Sequence, residues 1–161
     1  MLYAVGFVAL AFCVLVALDM WISADERQEN SYASLADADR DGAITRGWIP
    51  GFLPESSRDI HEVHDLSPST VWCAFQFDPR DDQKLRKNLK AAGAIFPRQI
   101  HIPSAGVRSW PRVLKGDLRP DEIRKAGYTL YVTSDPLTYP QSERLLFAID
   151  WSNGRGYYYG H

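Results

Sequence analysis

Residues 58–65 read RDIHEVHD, and whether this stretch is coiled or extended decides the fold. At a helical period Ile60 and Val63 share a face, with His64 about 40° from Ile60 and His61 about 100° from it. Pro54 suits a first helical position, and Pro68 in DLSPS closes the segment with a turn. The pattern predicts a polar helix with both histidines at the margin of a buried stripe. In the metalloprotease motif H-E-x-x-H the histidines stand four apart, whereas His61 and His64 stand three apart. A zinc site would need a third ligand beside His61 and His64, for which His101, Asp59 and Asp65 are the candidates. The plainer reading gives each histidine a carboxylate or carbonyl partner, with no bound metal and no cofactor.

Beyond the turn the period changes to two. In TVWCAFQF, residues 70–77, Val71, Cys73, Phe75 and Phe77 alternate with Thr70, Trp72, Ala74 and Gln76, a strand with one face in the core. Asp81 or Asp82 is placed to cap a basic helix, QKLRKNLKAAG, carrying Lys84, Arg86, Lys87 and Lys90 and ending at Gly93. AIFPRQIHIP reads as a short edge strand, residues 104–118 as irregular, RPDEIRKAG as a short helix and YTLYVTS as a strand. Asn153-Gly154 between two β-rich runs has the composition of a two-residue type I′ hairpin. These elements predict an α+β domain over residues 48–161, an antiparallel sheet of about four strands with two or three helices packed on one side.

Upstream, residues 25–47 read as a polar, partly helical juxtamembrane segment closed by Gly47. Within it DADRDGAI imitates the start of a calcium loop through Asp37, Asp39, Asp41 and Gly42. Position twelve is Trp48 where a bidentate glutamate is needed, so a solvated helix or turn is expected. In GWIPGFLPESS, Pro50 and Pro54 restrict an extended connector that lays Trp48, Ile49, Phe52 and Leu53 on the core.

The first 24 residues are expected to form a transmembrane signal anchor. From Leu2 to Ile22 the sole charge is Asp19, and such a run spans a hydrocarbon core of ~30 Å. No basic residue precedes it, as a cleaved secretory signal would require, although Ile22-Ser23-Ala24 could serve as a cleavage site. A lipoprotein signal ending at Cys13 would need a small residue where Phe12 stands. The positive-inside rule barely discriminates, and the near absence of a leading tail favours a domain in the periplasm, anchored in the inner membrane. Cys13 lies in the apolar run and Cys73 is alone in the remainder, so neither a disulfide nor a thiolate pair is expected there.

The segment RGWIPGFLPESSRDIHEVHDLSPSTVWCAFQFDP resembles one found in small proteobacterial envelope proteins with no assigned activity. Gly47, Trp48, Ile49, Pro50, Leu53, Pro54, Asp59, Ile60, His64 and Asp65 carry the resemblance, over about a fifth of the chain.

Charge is polarised along the chain. Residues 25–82 hold 13 acidic side chains against 5 basic, and residues 83–125 hold 11 basic against 3 acidic. With a net charge of −2 and no recognition motif, nucleic acid is not an expected partner. The basic residues suit anionic lipid or an acidic partner, unless the two halves fold against one another. No G-x-S-x-G, phosphate loop or Cys-x-x-Cys occurs, so an enzyme is not expected. The sequence therefore points to an interaction domain for another membrane or envelope protein, with Trp48, Asp59, His61, His64, Lys84, Lys87 and Lys90 as partner-binding candidates. The alternative is a small metal-dependent hydrolase built on His61 and His64.

Overall fold

In the computed structural model RDIHEVHD is a strand. The structure describes residues 27–66, 69–92, 100–103, 107, 109–133 and 145–160. The expected membrane anchor lies outside these residues, and among the described ones no helix is long and apolar enough to cross a membrane.

Nine strands are described: β1 (Arg27–Ser34), β2 (Arg58–Asp65), β3 (Thr70–Gln76), β4 (Leu89–Ala91), β5 (His101–Ile102), β6 (Gly116–Asp117), β7 (Thr129–Thr133), β8 (Leu146–Asp150) and β9 (Arg155–Gly160). Three helices of six residues each accompany them: α1 (Leu35–Arg40), α2 (Gln83–Asn88) and α3 (Pro120–Lys125). Seven strands form one antiparallel sheet in the order β1-β2-β3-β9-β8-β7-β4, while β5 and β6 pair separately. This replaces the expected four-stranded sheet with helices packed on one side.

The added strands come from segments whose helical periodicity is weak. β1 occupies part of the expected juxtamembrane helix, β2 is RDIHEVHD, and β4 takes the last turns of the expected basic helix. A short isolated helix in water is marginal and depends on packing. β3, rich in apolar and aromatic residues, presents β2 with a ladder of backbone groups, and this tertiary pairing outweighs local propensity. α1 retains the helical part of the upstream segment, capped by the Ser34 hydroxyl accepting from Asp37 N–H at 3.2 Å.

β3 is buried on both faces, not one. Val71, Cys73 and Phe75 join Ile60, Phe147, Ile149 and Tyr158 in a core that Leu35, Ile49 and Leu53 cover. On the opposite face Trp72 and Ala74 pack with Leu146, Ala148 and Tyr157 beneath Trp110, Leu114, Leu118 and Ile123. Irregular segments and short helices thus cover both sides of the sheet. Gly156 permits this packing at one point, because the Phe75 ring lies across it, 2.1 Å from where a Cβ would stand.

The hairpin at Asn153-Gly154 exists, but its loop is longer than expected. Asp150 pairs with Arg155, leaving Trp151–Gly154 as a four-residue connection. Only Gly154 in it has positive φ, +60°, so a type I′ turn, which needs two such residues, is not formed. The Asp150 carboxylate holds the loop by accepting from Asn153 N and Nδ2 at 3.1 and 2.7 Å.

Candidate functional site

β2 separates the residues that helical spacing would have gathered. Successive side chains of a strand point to opposite faces, so Ile60, Glu62 and His64 lie on one side and His61 and Val63 on the other. His64 is 3% exposed and Glu62 fully buried. His64 Nδ1 stands 2.7 Å from Glu62 Oε1, and Asn30 Nδ2 donates to Glu62 Oε2 at 3.0 Å. The Trp48 ring stacks on the His64 imidazole at 3.9 Å between centroids, 3° from parallel. Tyr158 donates its hydroxyl proton to the Trp48 carbonyl, fixing the connector from below.

The environment of this polar cluster sets its chemistry. Burial pushes the Glu62 carboxyl above its ordinary value, opposed by the hydrogen bonds from Asn30 and His64. Burial also pushes the neighbouring Cys73 thiol far up, which keeps it a thiol and not a nucleophile. Both Glu62 carboxyl oxygens are thus engaged inside the fold, one by Asn30 and one by His64.

On the other face of β2 the ladder to β3 carries a bulge. Arg58 pairs with Gln76 and His61 with Ala74, so three steps on β2 match two on β3. Asp59 sits at the bulge with φ +48°. There a cleft of about 250 Å³ opens, lined by Asp59, His61, Gln76, Ser109, Arg155 and Tyr157 among others. His61 Nδ1 is 2.9 Å from the Ser31 hydroxyl.

The third histidine is elsewhere. His101 lies on the β5–β6 ladder, its Nδ1 2.9 Å from Asp117 Oδ1. His61, His64 and His101 therefore do not converge as the hydrolase reading requires. Among the described residues no group of three or more His, Cys, Asp or Glu side chains is placed to hold a metal ion. In the calcium-like segment Asp37 accepts from Ser34 and Arg40, and Asp41 from Tyr32 and Arg46, so both carboxylates serve internal contacts.

The basic candidates are dispersed as well. Lys84 and Lys87 stand on α2, while Lys90 is on β4, at the far edge of the sheet. Lys84 Nζ pairs with Glu55 at 2.8 Å, and Arg86 pairs with Asp82 while its guanidinium lies 4.2 Å from the Trp151 ring centroid. Some of the charge polarity is thus used within the chain. Lys87 and Lys90 are exposed and have no ion-pair partner among the described residues.

Asn30, Glu62, Gln76, Ser109 and Arg155 escaped sequence reasoning as site residues. Reading RDIHEVHD at period two would have placed Glu62 with Ile60 and His64. Nothing local in the sequence brings Ser109 or Arg155 to β2, since the contact spans several strands.

The architecture defines a class: a largely antiparallel β domain with one seven-stranded sheet covered on both faces, a buried polar cluster and a cleft at a bulge. Residues 26–76 are similar to the YbbD head domain, a match of under half the chain that takes in β1, α1, β2 and β3. No curated protein and no solved structure matches the chain.

Proposed function

We propose that the chain is an interaction domain held at the inner membrane through Leu2–Ile22, its folded part in the periplasm. It recognises another envelope protein, as an inhibitor or assembly factor, by accepting a strand at β1. The observation that carries this reading is the difference between the two sheet edges. β4 is three residues long and carries Lys90, the usual means of blunting an edge. β1 is eight residues long, in register with β2 from Arg27↔Asp65 to Ser34↔Arg58, and no described strand pairs with its outer side. From Gln28 to Ser34 this edge has no described strand beside it, and its outward N–H and C=O groups suit strand addition.

The test uses the tagged intact chain recovered from membranes after crosslinking, with single prolines at Gln28 and at Glu29. Adjacent residues of a strand direct their N–H groups to opposite sides, so one variant loses a ladder bond and the other an outward donor. The variant that melts like the parent is expected to retain its fold but lose captured partner by about tenfold. Undiminished capture by that variant would refute strand addition.

A second reading is favoured by Lys87 and Lys90, exposed and without an ion-pair partner among the described residues, which suit anionic headgroups. Replacing Lys84, Lys87 and Lys90 with glutamine should leave stability within about 1 kcal/mol, because exposed pairs contribute little. The same variant should lose salt-sensitive binding to vesicles containing anionic lipid; equal sedimentation of parent and variant would exclude the lipid reading.

A further inference from the structure

The cleft at the β2 bulge combines features that neither strand recognition nor the buried cluster uses. The described residues include three non-glycine residues with positive φ, Asp59 at +48°, Ser69 at +58° and Ser109 at +67°. Two of them, Asp59 and Ser109, line this one cleft. Left-handed backbone in a non-glycine residue persists where its surroundings over-determine it, and such residues gather at ligand sites. A bulge likewise serves to re-aim a side chain. Aspartate tolerates the left-handed region better than most residues, which explains how Asp59 is accommodated but not why Ser109 shares its conformation beside the same cavity.

The charges at the cleft are complementary but unspent. Asp59 and Arg155 are both exposed, and neither side chain makes an ion pair or hydrogen bond with another described residue. Gln76 stands on β3 between them, paired with Arg58 on one side and with Arg155 on the other. Two interstrand spacings therefore part the β2 and β9 backbones, about 10 Å. An aspartate cannot reach across that separation, although the long arginine side chain can lean into the gap. The space between suits a molecule carrying a cation at one end and an anion at the other. The aromatic groups around it do not offer a stacking platform, because Phe75 and Tyr157 are buried in the core. The volume of about 250 Å³ suits a ligand of few heavy atoms.

We propose that this cleft binds a small zwitterion of the amino-acid class, its carboxylate on Arg155 and its ammonium on Asp59, with Gln76 and Ser109 supplying neutral hydrogen bonds. A guanidinium offers the paired donors that a carboxylate accepts, and the two charge-assisted contacts select for both ends of the ligand. The same chemistry belongs to a free amino acid and to a short peptide, which differ in the separation of their termini.

Titration of the intact chain with glycine, diglycine and triglycine, followed by calorimetry or by amide shifts of residues 58–61, separates the two. Saturable binding of at least one zwitterion is expected, with acetate and methylamine at least about tenfold weaker. The best of the three sets the length. Asp59→Asn and Arg155→Gln should each weaken binding at least about tenfold while melting like the parent. Asp59→Gly should also abolish binding yet melt higher, because it relieves the left-handed backbone, and so separates the ligand role from a structural one. Acetate binding as tightly as the zwitterions, unchanged affinity in both charge variants, or no saturable binding of any of the three would overturn the proposal.

Discussion

Glu62→Ala is expected to destabilise the domain by about 3–5 kcal/mol, the range for removing one member of a buried polar pair. The carboxylate is the shared partner of Asn30 Nδ2 and His64 Nδ1, so its loss leaves two groups unsatisfied as well as a cavity where the fully buried side chain stood. His64→Ala should be costly for the same reason, and more so than His61→Ala, because His61 is only part-buried and bonds Ser31 at the surface. Urea unfolding of the three variants checks the order. A Glu62→Ala cost under about 1 kcal/mol would show that the pair contributes no more than a surface contact.

Glu62 also gives a pH dependence of definite sign. Its carboxyl is raised in the folded state because burial disfavours the charged form. The folded state therefore holds the proton more tightly than the unfolded chain. The resulting stabilisation is fully present below the unfolded value of 4.5 and is lost as pH rises through the higher folded value. Glu62→Gln keeps the shape and cannot ionise, so the stability of the parent relative to this variant should fall as pH rises above 4.5. A difference that stays level, or grows with pH, contradicts the assignment.

The other large effect is expected at the hairpin. Gly154→Ala should cost about 3–4 kcal/mol, beyond the ordinary range for a single substitution. Part is conformational, since φ is +60° and an L-residue there costs roughly 1–2 kcal/mol. The remainder is steric. An added Cβ would lie 2.0 Å from the Phe77 carbonyl oxygen, a backbone atom whose residue is tied to the loop by the 2.8 Å bond from Phe77 N to Gly154 O. Gly47→Ala provides the comparison, having φ +83° but nothing within 4 Å of the new atom. Chemical denaturation of both separates the terms; equal losses would mean that the end of β3 yields freely to the added methyl group.

Strong period-two signals led directly to their elements. β3 and β7, and the hairpin of β8 and β9, were legible because apolar alternation and the Asn153-Gly154 pair are local signals. The connector of Trp48, Ile49 and Leu53 was likewise legible as core packing, because proline restricts its path whatever surrounds it. RDIHEVHD was not, since neither period yields a wholly apolar face. At period two Glu62 and His64 accompany Ile60 into the interior, which sequence patterning penalises unless their partners are known. Asn30, 32 residues away, and Trp48 across the connector are those partners.

The sequence by itself determined the punctuation of the chain, the alternating strands near its middle and end, the polarity of its charge and the apolar run at its start. Tertiary structure alone decided that β1, β2 and β4 would extend rather than coil. Their backbone groups can be satisfied either way, and the choice falls to the neighbour that offers a ladder. It also decided the fate of the two histidines. Three residues apart, they share one side of a helix but opposite sides of a strand, so His64 was carried into the core and His61 to the rim of a cleft.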